Sequence, residues 1–249
     1  MVDCAAARAR DVGSAIYRPR AVSAPEPIHL NPATEVAERV LLPGDPQRAL
    51  AVSQALLEAP KMMNARRGLW GYTGTAPDGG LVTVQSTGMG GPSAAIVAEE
   101  LIGLGARVLL RIGTCGALTD ELSLGQLVAV SDALAQDGTS RALGAGERAE
   151  PDSELTERLA ADAAPVRVVS TDVFYEQRDG IEASWVAAGA KAVEMESATL
   201  FTVARRQGVR AASLLAVSDL LSGGRERLDQ EAVEAVGVEL GAAALRALA

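Results

Sequence analysis

Histidine occurs once in this 249-residue chain, at His29, and cysteine only twice, at Cys4 and Cys115. A single imidazole excludes a multi-histidine metal site and any mechanism that needs two histidines. Two cysteines so far apart argue against a disulfide framework and fit a reducing compartment, so a cytoplasmic location is expected. Long hydrophobic runs are also missing. None approaches the roughly 20 residues that cross a bilayer, and no membrane partner is expected. Positive charge is in deficit: the formal net charge is −9, which argues against a general nucleic-acid binder. Any anionic ligand must then be held by a local cluster of arginines. The first 24 residues carry Arg8, Arg10, Arg18 and Arg20 but no long apolar segment, so they do not read as a secretory signal. Residues 1–25 are expected to be a flexible N-terminal extension, and a misassigned start codon accounts for them equally well.

What is present is apolar and finely punctuated. A hydrophobic fraction of 48% is enough to bury one sizeable core, and 26–249 is expected to form it. The 25 glycines follow no collagen or linker repeat. Arg39 to Leu42 reads as a short strand ending in Pro43-Gly44-Asp45-Pro46, with a helix from Gln47 to about Leu57. Leu69 to Gly74 and Leu81 to Ser86 read as a hairpin around Pro77-Asp78-Gly79-Gly80. Gly88-Met89-Gly90-Gly91-Pro92 opens a helix with Ala94, Val97, Ala98, Leu101 and Ile102 at helical spacing. Strands are expected at 107–112, 126–130, 166–170, 191–193 and 211–217. Helices are expected from Ser197 to Gln207, stopped by Gly208, and from about Asp229 with Val233, Val236, Leu240, Ala244 and Leu248 on one stripe. Such alternation points to a layered α/β fold with a mostly parallel or mixed sheet, in which ligands sit beyond the carboxyl ends of strands.

The polar motifs fall at those ends. Gly44-Asp45-Pro46 and Arg48 suit an anion through backbone N–H groups and a helix start, or are plain strand–turn–helix punctuation. Arg66-Arg67-Gly68 alone reads as a solvated basic turn. Arg111 sits in an otherwise apolar strand end, and a buried arginine needs an anionic partner: a structural carboxylate or a ligand. Gly113-Thr114-Cys115-Gly116 then offers backbone donors and a hydroxyl suited to phosphate oxygens. Cys115 reads as a packing residue, with no histidine nearby in sequence. Glu194-Met195-Glu196 could hold sugar hydroxyls or serve as helix N-terminal acids. Asp219, after Ser218, is a candidate general acid or a helix cap. Phe174-Tyr175 could stack on a flat ring or simply pack.

Together these segments resemble the trimeric/hexameric nucleoside phosphorylase family, which includes bacterial purine nucleoside phosphorylase and uridine phosphorylase. The likeness runs from about 29 to 247 through PGDPQRA (43–49), RRGLWGYTG (66–74), STGMGGPSAAI (86–96), LRIGTCGA (110–117), STDVFY (170–175), VEMESATL (193–200) and VSD (217–219). The resemblance implies one three-layer α/β domain with a central mixed sheet flanked by helices. It implies that Gly44, Arg48, Arg111 and Thr114 bind phosphate, while Arg67 reaches the phosphate of a neighbouring subunit and His29 a neighbour's nucleoside 5′-hydroxyl. Met89, Met195 and Glu196 would hold ribose. Phe174, Tyr175 and Val193 would line the base pocket, with Glu194 and Ser218 beside the nucleoside and Asp219 protonating the leaving purine. A homohexamer built as a trimer of dimers follows, with phosphate as co-substrate and no metal or organic cofactor.

Two departures leave choices open. The stretch from Leu220 to Asp229 looks shortened, and either Arg225 or Arg227 could assist Asp219. Gln177 and Arg178 follow the aromatic pair as uracil-reading residues would, though adjacent and closer. STGMGGPS and EMESATL lean to the uridine branch, VSD and RRGLWGYTG to the purine branch. Purine phosphorolysis is the expectation, weighted on Asp219. Uridine phosphorolysis, a nucleosidase using water and a non-catalytic nucleoside binder are the alternatives, and 6-oxo and 6-amino purines remain undivided.

Overall fold

The expected alternation is realised in a computed structural model that describes residues 26–222 and 225–249. The extension expected at 1–25 lies outside the described residues. The strands are β1 (Arg39–Leu42), β2 (Glu58–Asn64), β3 (Gly71–Thr75), β4 (Leu81–Gln85), β5 (Val108–Ala117), β6 (Leu127–Ala135), β7 (Arg148–Ala149), β8 (Ala164–Ser170), β9 (Ala192–Glu194), β10 (Arg210–Leu220) and β11 (Glu226–Arg227). The helices are α1 (Pro46–Leu56), α2 (Gly91–Gly103), α3 (Gly138–Ala142), α4 (Ser153–Leu159), α5 (Ile181–Ala187), α6 (Ser197–Gln207) and α7 (Gln230–Leu248).

The sheet is mixed. β1 runs parallel to both β4 and β5, and β5 runs parallel to β10. β10 is antiparallel to β6, β6 parallel to β8, and β8 parallel to β9, which returns antiparallel to the end of β5. Strands β5, β10, β6, β8 and β9 therefore close on themselves, while β1, β4, β3 and β2 continue outward as an open wing. Along one edge, β5 pairs with β1 over Val108–Arg111 and with β9 over Gly116–Ala117. Between them, residues 112–115 have no strand partner on that edge among the described residues, and the sheet splits there.

Strand alternation feeds two cores. Leu41, Leu110, Ile112, Leu214 and Ala216 pack with α1, α4 and α7, whereas Val40, Leu42, Leu109, Leu215 and Val217 pack with α2 and α6. Helices thus cover both faces and complete three layers. Helix starts follow capping chemistry. Asp45 accepts from the Gln47 N–H with Pro46 at the first turn of α1, and Asp229 accepts from the Ala232 N–H at α7. Gly208, left-handed at φ 68°, ends α6 as expected.

Three expectations are corrected. Residues 113–116 are not a loop but continue β5, because they pair with β10 from Leu215 to Asp219. β10 likewise does not stop at Val217 but runs to Leu220, since Asp219 and Leu220 find new partners in β11. β6 extends past Val130 to Ala135, held by β8.

Candidate active site

A cavity of about 470 Å³ opens where the sheet splits. Gly44, Arg48, Met89, Arg111, Thr114, Phe174, Val193, Glu194, Met195, Glu196, Ser218 and Asp219 all line it. They arrive from the ends of β1, β5, β9 and β10 and the loops that follow β4 and β8, the strand-end position expected for this class of fold.

Arg111 is buried and carries two acids. Its Nε donates to Glu194 Oε2 at 3.0 Å, and its Nη2 meets Glu196 Oε2 at 2.7 Å. Burial alone would lower its pKa, but Glu196 and Glu194 hold it above the ordinary arginine value. Gly113 makes room for this arrangement, since a Cβ there would fall 2.7 Å from Arg111 Cζ. Glu194 is fully engaged by protein. It accepts from Ser170 Oγ, from the Glu196 N–H at 2.9 Å and from the Ser197 N–H at 3.0 Å. It therefore both clamps Arg111 and caps α6. Glu196 accepts from the Gly90 N–H at 2.5 Å, and burial pushes its carboxyl above the usual carboxylate range against the pull of Arg111.

Arg48 stands in contrast. It makes no hydrogen bond or ion pair among the described residues, and burial pushes its guanidinium below the ordinary value despite nearby Asp45. Its stem lies on α7 at Gly237, where a Cβ would sit 3.1 Å from Arg48 Cγ. Arg48 is half-buried, and a partly desolvated cation without a partner is stabilised when an anion joins it. Cys115, beneath, has its thiol pushed up to about 12 by burial and by Glu194, so it is a packed thiol and not a nucleophile.

Asp219 sits just past a bulge in β10, where the register against β5 slips between Val217 and Asp219. Bulges re-aim side chains, and this one turns Ser218 and Asp219 to the cavity. Arg227 resolves one open choice: its Nε and Nη2 donate to Asp219 Oδ1 at 2.7 and 2.5 Å, while Arg225 lines the cavity from a left-handed backbone (φ 53°). Ser218 Oγ donates to Asp219 Oδ2 at 2.7 Å. Asp219 caps no helix; Asp229 does that at α7. Phe174 lines the cavity with Tyr175 edge-on to it at 5.1 Å, and both are exposed.

Tyr175, Arg67 and His29 do not line this cavity. Arg67 is exposed, on a left-handed turn at φ 59°. His29 is tethered by Glu100, which accepts from its Nδ1 at 2.7 Å and from the backbone N–H groups of Ile28, His29 and Leu30. Sequence reasoning passed over Glu100, although an acid between Ala98 and Leu101 on an apolar helix stripe was a signal. It also passed over Glu176, Glu182 and Trp185, which line the cavity. Arg178 is turned onto Glu176, with its Nη2 2.5 Å from Glu176 Oε2, and neither Gln177 nor Arg178 lines the cavity.

The chain belongs to the phosphorylase superfamily, whose family model matches residues 38–249. Within it, the chain is similar to the DeoD-type purine nucleoside phosphorylase of Geobacillus kaustophilus, 36% identical over 215 residues that cover 82% of this chain and 90% of that protein. It is similar also to the DeoD-type enzymes of Clostridium beijerinckii, at 37% identity covering 77% and 85%, and Roseobacter denitrificans, at 37% covering 76% and 85%.

Proposed function

We propose that this protein phosphorolyses purine ribonucleosides, with inorganic phosphate as co-substrate, to free base and ribose 1-phosphate. The observation that carries the reading is Arg48: a half-buried guanidinium with no hydrogen bond or ion pair among the described residues, in the same cavity as Arg111, Thr114 and Asp219. Phosphate supplies the anion that Arg48 lacks, with Arg111 Nη1, Thr114 and the Gly44 turn around it. Glu196 and Met195 flank the ribose, Met89 covers it, and Phe174 and Val193 face the base. The glycosidic bond breaks with oxocarbenium character at C1′, as in glycoside hydrolysis. Phosphate attacks that carbon, and a proton from Asp219, oriented by Arg227 and Ser218, meets the charge left on the base. No step draws on a metal or organic cofactor. Because Arg178 is spent on Glu176, the purine reading is favoured over the pyrimidine one.

Arg67 and His29 serve a second copy's cavity in this reading, as parts of a cytoplasmic homohexamer. Their segments are joined, Arg66 Nη1 donating to the Ile28 carbonyl at 3.2 Å, and Ile28 beside them is 67% exposed. The direct test is base release from inosine with and without phosphate. Strict dependence is expected, and equal release without phosphate would replace phosphorolysis by hydrolysis. For assembly, Arg67→Ala and Asp219→Ala proteins, mixed and reassembled, should regain activity; a fully active monomer in sedimentation refutes the shared site.

A further inference from the structure

Arg111 and Arg227 are each aimed by carboxylates. Arg48 lines the same cavity without a hydrogen bond or ion pair among the described residues, so its aim must come from packing. Asp45, three residues earlier, has its Oδ1 on the Gln47 N–H at 2.9 Å and forms no ion pair with Arg48. Arg48 stands in the first turn of α1, and Val52 and Leu56 follow it at i+4 and i+8 on the same helix face. That face meets α7 at two glycines. A Cβ on Gly241 would fall 2.7 Å from Val52 Cγ1 and 2.9 Å from Leu56 Cδ1, so bare backbone there brings the two helices together. At Gly237, one turn earlier on α7, the three atoms nearest to a Cβ all belong to Arg48: Cγ and Nε at 3.1 Å and Cδ at 3.2 Å. The Arg48 stem thus fills the groove that the missing side chain leaves. Gly237 is buried inside a 19-residue helix, where local helix propensity alone would favour alanine.

We infer that Gly237 is a positioning residue: it lays the Arg48 stem along α7 and so sets where the guanidinium meets phosphate. The inference rests on the phosphorolysis reading. An arginine packs its methylene stem on a neighbouring surface while its charged head stays in polar surroundings. Here that surface is the bare backbone of Gly237. An alanine there would push the stem off α7 by a few tenths of an ångström. No hydrogen bond or ion pair among the described residues opposes that shift, so its cost falls on the ligand and not on the fold. An anchor that holds phosphate equally in the ground and transition states shows its loss in KM, with kcat kept.

The test is a double-mutant cycle in the full-length protein. kcat and KM for phosphate, at saturating inosine, are measured for wild type, Gly237→Ala, Arg48→Met and the double variant, together with melting temperatures. Gly237→Ala should raise KM for phosphate roughly 4-fold, since a 1 Å misplacement costs about 10²-fold and the shift is a few tenths of that. kcat at saturating phosphate should hold, and the melting temperature should not fall. On the Arg48→Met background the same alanine should leave KM unchanged, because the group it displaces is gone. An equal rise on both backgrounds means that the helix seam, and not Arg48, carries the effect, and overturns the positioning role. An unchanged KM in Gly237→Ala overturns it as well, as does a lower melting temperature with kcat lost. These outcomes leave phosphorolysis standing. If Arg48→Met itself leaves KM for phosphate unchanged, or wild type releases base equally without phosphate, the phosphorolysis reading of Arg48 fails and the positioning role falls with it.

Discussion

Replacing Glu194 with glutamine tests whether the acid beside Arg111 is a strut or a ligand group. In the folded protein both oxygens are taken, by Arg111 Nε at 3.0 Å, Ser170 Oγ, the Glu196 N–H at 2.9 Å and the Ser197 N–H at 3.0 Å. Every partner is a donor. An amide NH2 in place of either oxygen puts donor against donor inside a closed site and removes one of two charges balancing a buried guanidinium. Breaking a buried pair costs about 3–5 kcal/mol. Arg111 keeps Glu196 at 2.7 Å, so the lower end applies, about 3 kcal/mol, or roughly a hundredfold in the folded-to-unfolded ratio. The surface pair Arg158–Glu154, with side chains 45% and 59% exposed, is the internal reference, and Glu154→Gln should cost under about 0.5 kcal/mol. Urea unfolding at one fixed protein concentration measures both, since assembly shifts apparent stability. KM for phosphate should also rise, because Arg111 loses the group that sets its plane. If Glu194→Gln costs no more than the surface reference, the strut assignment is refuted.

Arg48→Met should raise KM for phosphate at least about 10-fold without lowering the melting temperature, because it removes a half-buried charge that has no ion-pair partner among the described residues; a destabilised variant would mean that Arg48 has a structural partner. Asp219→Ala should slow inosine phosphorolysis about 10²–10⁴-fold, whereas 7-methylguanosine, whose ring already carries positive charge, should lose much less; equal losses would make Asp219 positional. Glu100 has its carboxyl below its ordinary 4.5: burial opposes this, but the Leu30 N–H, the His29 ring and the His29 and Ile28 N–H groups outweigh it. Its stabilising contribution is therefore present above about pH 4.5 and lost as pH falls through the depressed value. Melting temperature against pH should consequently fall less steeply in Glu100→Gln than in wild type, and parallel acid limbs would remove Glu100 from the account.

Elements with strong local signals were legible from the chain. The β1 turn, the Pro92 helix start, the Gly208 stop and the Asp229 cap each use chemistry confined to a few residues, and all stand where expected. The misplaced strand ends share a cause. Whether Gly113–Gly116 and Ser218–Leu220 are strand or loop depends on what lies beside them, and β10, β9 and β11 arrive from up to a hundred residues away. β2 and α5 were missed because their burial is one-sided and short: β2 exposes most of its residues, and α5 commits only Trp185 to the core. The choice between Arg225 and Arg227 needed the β10–β11 pairing, which puts Arg227 directly across from Asp219. Glu176 and Glu182 carried no motif, because their place is evident only from the cavity they border.

Charge totals alone would have misplaced the anion. The lining holds Asp45, Glu176, Glu182, Glu194, Glu196 and Asp219 against Arg48, Arg111, Arg225 and Arg227, an excess of acid in a protein already at −9. On the sum, phosphate should be repelled. Pairing decides otherwise. Arg111 is held by Glu194 and Glu196, and Arg227 is held by Asp219. Arg225 is exposed, where water screens it. Arg48 is half-buried and, among the described residues, has no acid within ion-pair reach, and at short range such a charge attracts an anion more than carboxylates already held by arginines repel it. The carboxylates then have a second use. They occupy Arg111 and Arg227, which leaves the half-buried Arg48 as the anchor for phosphate in the proposed reaction, while Asp219 is engaged by Arg227.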